Sequence, residues 1–399
     1  MTNQLEIALD YKKQLNKVIS DEKHVFGQAL FSLMEGAILW FKGEYDASLE
    51  LFNKALPIFI EHDLNVLITG VYNAYAMIFH NRGDFNQAIS FGKKAIQLMK
   101  EKGFYWPYPW NGMIETLLVK GDYQLALKYS KQILSICEEN HNQTGVLHRL
   151  RIIATIYYHK GDFENAFNWV KQSLLKSEAI KDLRGQAWSL NLIGATFYQI
   201  GNPNRAIDYF QQALKLTKEF HDDFGGYGYS TRYIQANLAK ALSSKGDFDQ
   251  ALELMQNALI SAKEQESSWF DDDTYLMIGE ILFKKGEYQL ARKQLQNSLA
   301  LCEKYGTPLS SSIVRYYLIL TNCELDSIAE ANEYLQQLEI IGKDTANQRI
   351  YQQIQIAKGF ILKKSPRAFM KAKAQEIFPQ ITEKKAFPLI QPCLQCSIY

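Results

Sequence analysis

Large apolar, small and polar residues follow one another along this chain in an order that repeats. Aligned on a glycine, seven stretches read KGEYDASLELFNKAL (Gly43), RGDFNQAISFGKKAI (Gly83), KGDYQLALKYSKQIL (Gly121), KGDFENAFNWVKQSL (Gly161), IGNPNRAIDYFQQAL (Gly201), KGDFDQALELMQNAL (Gly246) and KGEYQLARKQLQNSL (Gly286). Successive glycines lie 40, 38, 40, 40, 45 and 40 residues apart. Two residues after the glycine stands an aromatic ring, with Pro203 the exception; five after it stands Ala, or Ser48 in the first stretch. Thirteen after it comes Leu or Ile. Seven before it stand Gly36, Ala76, Ala154, Gly194, Ala239 and Gly279, with Ile114 the exception, and four before it a large apolar residue such as Leu39, Phe79 or Phe197. Large apolar residues at these offsets follow helical spacing on buried stripes. The glycine takes a positive φ and ends one helix. The Asp or Glu after it caps or charges the start of the next, and Pro203 suits a first helical turn. Each period is therefore predicted to be a hairpin of two antiparallel helices, drawn close by the small residues. A fixed period of this length predicts a stack of such hairpins.

The ends and linkers depart from the pattern. Residues 1–23 hold an amphipathic helix over 4–19, expected to cap the stack. Residues 24–305 carry the seven repeats. Residues 306–381 are read as two degenerate hairpins, the first with Leu325 where the glycine should stand, the second turning at Lys364-Ser365-Pro366. Residues 382–399, with Pro388 and Pro392, are expected to be an irregular tail. FYWPYPWNG (104–112) delays the following helix through Pro107 and Pro109, and EFHDDFGGYGYS (219–230) accounts for the 45-residue interval.

The order small residue, large residue, Gly-Asp-Tyr/Phe, Ala, Ala-Leu resembles that of tetratricopeptide repeat proteins, across at least residues 24–305. A period near 40 is longer than the basic 34 and is similar to the long-helix type, most like archaeal and bacterial multi-repeat members. The resemblance implies an all-α, right-handed α-solenoid whose first helices line a concave groove and contact ligands there. Counting back 13, 10, 6 and 3 from each glycine carries those contact positions onto this chain. The candidates are Asn73, Tyr108, Asn111, His148, Arg151, Tyr158, Trp188, Asn191, Tyr198, Tyr233 and Lys240. Asn73, Asn111 and Asn191 share one register with Arg151, and a row of amides, each donor and acceptor, clamps an extended peptide backbone. The aromatics supply flat contact with few rotamers to freeze, and Arg151 pairs with a carboxylate. The family's two-carboxylate clamp needs Lys and Asn at set positions. Only Arg151 and a displaced Lys240 stand near them, so that specificity is not carried over.

Composition narrows the function further. The 399 residues carry 44 Lys+Arg against 43 Asp+Glu, a net charge of +1 that argues against nucleic acid as partner. Five cysteines form no dense framework, which suits free thiols in a reducing compartment. The first residues lack an apolar signal segment, and the longest weakly polar run, 67–79, is too short to span a bilayer. Cys393-Leu-Gln-Cys396 is a lone pair without a second ligand pair. The seven histidines show no metal-ligand spacing, and no phosphate-binding glycine motif occurs. No catalytic residue, metal or cofactor is expected. The sequence thus reads as a cytoplasmic, non-catalytic scaffold for a protein or extended peptide, with no nucleic acid or membrane partner. Its rival is a peptide-responsive regulator of a partner protein.

Overall fold

In the computed structural model, residues 25–41, 43–104, 111–219, 227–264, 271–345 and 347–364 are described, and every regular element among them is an α-helix. The first hairpin pairs α1 (Val25–Phe41) with α2 (Tyr45–Glu61), the second α3 (Asn65–Asn81) with α4 (Phe85–Lys102), and the third α5 (Asn111–Lys120) with α6 (Tyr123–Glu139). Next come α7 (Gln143–Lys160) with α8 (Phe163–Ala179), α9 (Leu183–Gln199) with α10 (Pro203–Glu219), and α11 (Tyr227–Lys245) with α12 (Phe248–Glu264). The seventh and eighth hairpins are α13 (Asp271–Lys285) with α14 (Tyr288–Tyr305) and α15 (Pro308–Glu324) with α16 (Ile328–Thr345). The last described helix, α17 (Gln348–Lys363), follows. The expected capping helix, the two linker segments in part, and everything past Lys364 lie outside the described residues.

All seven repeat glycines adopt positive φ, from 75° at Gly121 to 87° at Gly246. The turn this makes lets the amide after each glycine reach back to the apolar residue four before it: Asp84 to the Phe79 carbonyl, Asp162 to Tyr157 and Asp247 to Leu242, at 2.9, 2.9 and 3.0 Å. Orphan carbonyls at the helix end are thereby satisfied. Asp84, Asp122 and Asp162 then accept from the backbone N–H of Gln87, Leu125 and Asn165 and so cap the second helix. Glu44 and Glu287 make no such bond. The eighth hairpin corrects the expectation placed on Leu325. It is Asp326 that takes the left-handed conformation, at φ 57°, one full 40-residue period after Gly286. Asp is among the few side chains that tolerate that conformation.

The small residues work in pairs. A side-chain carbon at Gly36 would stand 2.7 Å from the Phe52 ring, at Gly194 2.8 Å from Phe210, and at Gly279 2.7 Å from Leu295. In each case the partner lies nine residues after the elbow glycine. At the same two positions the second hairpin has Ala76 and Gly92, and the third has Ile114 and Ser130. Thus the residue that broke the small-residue rule, Ile114, faces a register where its partner has shrunk, and both are buried. The alanines five after the elbow, Ala88 through Ala291, are fully buried, and Ser48 in their place donates to the Gly36 carbonyl at 2.7 Å. Only the eighth hairpin has two large residues, Ile319 and Leu335, at the paired positions.

First helices pack on the first helix of the next hairpin along almost the whole stack, and no two successive second helices pack as closely. The stack therefore bends with its first helices inside. The bend brings distant hairpins together: a side chain at Gly43 would collide with the Tyr305 ring, and one at Gly83 would stand 3.2 Å from Pro308 and 3.3 Å from Thr345. The solenoid completes a turn within these seven to eight hairpins and rests on itself.

Three substitutions test this packing. Gly194→Ile overpacks its hairpin and costs about 1–3 kcal/mol. Adding Phe210→Ser, which copies the third hairpin, recovers part of that loss, read as a non-additive term in a urea-melt cycle. A purely additive double variant contradicts the pairing. Separately, nothing lies within 4 Å of a side chain built at Gly246, so Gly246→Ala measures backbone strain alone and costs about 1–2 kcal/mol. Lys181, at φ 57° between the fourth and fifth hairpins, behaves inversely, and Lys181→Gly gains about 0.5–1 kcal/mol.

Candidate ligand groove

The inner face of the bend encloses a cavity of about 460 Å³. Its aromatic wall comes from one inner helix after another: Tyr158 on α7, Tyr198 on α9, Tyr233 on α11, and Tyr316 with Tyr317 on α15. Four of the eleven sequence candidates meet there, namely Tyr158, Tyr198, Tyr233 and Lys240. Tyr233 keeps 42% of its surface open to solvent, yet groove walls surround it closely enough that desolvation raises its pKa. Both facts describe a ring standing in a channel.

The polar network behind the rings fixes them. The Asn237 amide donates to Asn191 Oδ1 at 3.0 Å and also hydrogen-bonds Tyr233. Trp188 lies 5.7 Å from the Tyr233 ring, tilted by 33°. Gln199 donates to the Tyr158 hydroxyl at 3.1 Å. Asn191 itself is buried, with 3% of its surface exposed. This corrects the expectation that it offers its amide to a ligand: the adjacent inner helix takes up its carbonyl first, so it positions Tyr233 through Asn237. Asn73, His148 and Arg151 are half-buried on α3 and α7 and do not line this cavity. Burial, with Arg149 and Arg151 adding, holds His148 well below the usual histidine range. Asn111 begins α5 without a described side chain, and Tyr108 lies outside the described residues.

Charge in the cavity is arranged in sets. Burial opposes ionisation of Glu280, but Lys284, whose Nζ stands 2.8 Å from Oε1, together with Lys240 and a hydrogen bond from Tyr317, holds its pKa at about 2. Enclosure by the groove, with Asp272 beside it, pushes Asp273 up to about 7. His159 is driven down to about 4 by burial, with Arg349 adding to the effect. Deeper along the first helices, Thr116 donates to the Gly112 carbonyl at 2.6 Å and so accepts from His80 Nδ1 at 3.0 Å. His80 Nε2, left without a proton, faces Glu115 at 4.0 Å. Burial drives His80 down to about 4, so this contact is not an ion pair.

Register counting missed Arg349 and Gln353, which reach the cavity from α17. It also missed Tyr316, which sits ten before Asp326, in the register of Asn73 and Asn191. The eighth hairpin has no elbow glycine to count from. Among the described residues no helix is long and apolar enough to cross a membrane, and no group of three or more His, Cys, Asp or Glu is placed to hold a metal ion.

Two family models, each described as a tetratricopeptide repeat, match residues 147–219 and 236–305. No curated protein matches the chain. Among solved structures, a Rap protein complexed with competence and sporulation factor aligns with a TM-score of 0.54 and 14% identity, over 80% of this chain and 87% of that one. The apo form of the quorum sensor NprR from B. thuringiensis aligns at 0.52 and 16% identity, over 87% and 95%. The Rap conjugation gene regulator of the plasmid pLS20, in complex with the Phr* peptide, aligns at 0.51 and 13%, over 79% and 87%. At these identities the likeness is one of fold. The glycine elbows in one register, the two matched segments and the stacked hairpins agree: residues 147–219 and 236–305 are tetratricopeptide repeats, set in a solenoid of like hairpins.

Proposed function

We propose that the chain is a non-catalytic scaffold that binds a protein segment or extended peptide inside its solenoid. The observation that carries this reading is the cavity on the inner face, walled by Tyr158, Tyr198 and Tyr233 from three successive hairpins. Its volume falls in the range of ligand pockets. Amphipathic rings bury area at low entropic cost. The network of Asn191, Asn237 and Gln199 holds two of these rings before any ligand arrives, which lowers the ordering cost of binding.

A second reading, a peptide-responsive regulator, has its own support. The first turn of the solenoid rests on the second at Gly43 and Gly83, so a ligand that spreads or tightens the inner helices also shifts that contact. The Rap regulator in complex with the Phr* peptide and the quorum sensor NprR share the fold.

Tyr198→Ala with Tyr233→Ala tests the groove. Capture of the partner from a native extract, followed by mass spectrometry and titration of the identified segment, is expected to weaken by about tenfold or more, as for loss of a binding hot spot. Helical circular dichroism is expected to stay unchanged. Undiminished affinity places the site elsewhere. Small-angle scattering with the identified segment separates the two readings: a change in overall dimensions favours the regulator, and none favours the scaffold.

A further inference from the structure

Helix α17 follows the eighth hairpin, yet it shares a cavity with Tyr158 and His159 of the fourth. Arg349 and Gln353 lie one helical turn apart, so they share a face, and both line the cavity. The adjoining face, with Ile350, Ile354 and Ala357, is buried in the core built by α15 and α16. The helix thus has an anchored side and a side turned to the groove. Across the groove the Arg349 guanidinium acts on Tyr123, Tyr158 and His159, at or beside the elbows of the third and fourth hairpins. The same turn of the solenoid seats Tyr305 on Gly43, and Pro308 and Thr345 on Gly83. The far wall of the cavity therefore belongs to the second turn, and it is held to the first by contacts at elbows, not by a continuous core.

Gln353 is the unexplained member of that wall. It keeps 4% of its surface exposed, and its Oε1 has no hydrogen-bond donor among the described residues. A buried amide acceptor without a donor destabilises the fold that carries it. An aliphatic residue there would extend the apolar face of α17 without that penalty. An amide presents a donor and an acceptor side by side, which is the complement of a peptide bond.

We propose that α17 is the closing wall of the ligand cavity and that Gln353 is its reading residue, accepting from the backbone N–H of an extended peptide held against Tyr158, Tyr198 and Tyr233. The peptide enters when the second turn moves off the elbows of the first hairpins. This rests on the peptide-groove reading above and adds to it a contact from outside the inner helices of the fourth to sixth hairpins.

Two measurements on the full chain, both without peptide, test it. Gln353→Leu is expected to raise the melting temperature, because the orphaned acceptor goes and no internal bond is lost. A fall shows that the amide serves the fold and overturns its role as reader. For the moving wall, Ala236→Cys places a thiol in the cavity, in a background where Cys393 and Cys396 are serine, and a maleimide-polyethylene glycol reports its accessibility. Adding Tyr305→Ala, outside the cavity, is expected to speed labelling at position 236 severalfold while the buried Cys137, Cys302 and Cys323 stay unlabelled. An unchanged rate overturns the moving wall. So does a rise at the three buried thiols in step with position 236, which reports general opening. Neither result depends on peptide capture, so failure here is distinct from failure of the groove reading.

Discussion

The close approach of two helices at each elbow is the constraint on which everything else in this molecule depends. A glycine with positive φ reverses the chain in two residues, and the returning amide closes the helix end. In the seven glycine-elbow hairpins the two helices then lie so near that one of the residues facing each other is small, a rule the eighth hairpin, with Ile319 and Leu335, does not follow. The size is shared between partners, not assigned to one position: Gly36 with Phe52, Gly194 with Phe210, Gly279 with Leu295. Such a core is thin, only one hairpin deep, and it is stable because each hairpin buries its outer face on the next.

Curvature follows from unequal packing. First helices touch one another and second helices do not to the same degree, so each added hairpin rotates in the same sense. A concave inner surface results, and over seven to eight hairpins the surface closes on itself. The cavity is a product of that accumulated rotation. No single hairpin contains it. Its walls are side chains that the repeat has no reason to bury: a column of tyrosines, a Glu280 paired with Lys284 and Lys240, and an Asp273 whose pKa is raised by enclosure and by Asp272. On these enclosed polar and aromatic groups rests the proposed ligand site.

The linkers and ends matter through geometry. Helix α5 is described from Asn111 onward. Gly112 brings it against the backbone of α3 at Ala76 and Met77, where a side-chain carbon would stand 2.7 Å away. In the eighth hairpin, loss of the glycine is absorbed by Asp326, whose side chain tolerates the left-handed region. The period of 40 therefore survives in the backbone after it has faded from the sequence, and it places Tyr316 on the inner wall.

The hairpins, their elbows and the inward face of the first helices were legible in the sequence, because each depends on residues within one period: a glycine for φ, an alanine for approach, an aspartate for the cap. That Tyr158, Tyr198, Tyr233 and Lys240 face the inner cavity was legible for the same reason. Asn191 was not, since whether an inner asparagine meets ligand or neighbour depends on Asn237, a residue 46 positions away. Arg349 and Gln353 were not, since their place in the groove follows from the pitch of the solenoid. Pitch is the sum of many small helix-to-helix angles set by side-chain packing. Local chemistry writes the unit; only the packed superhelix decides which units come face to face.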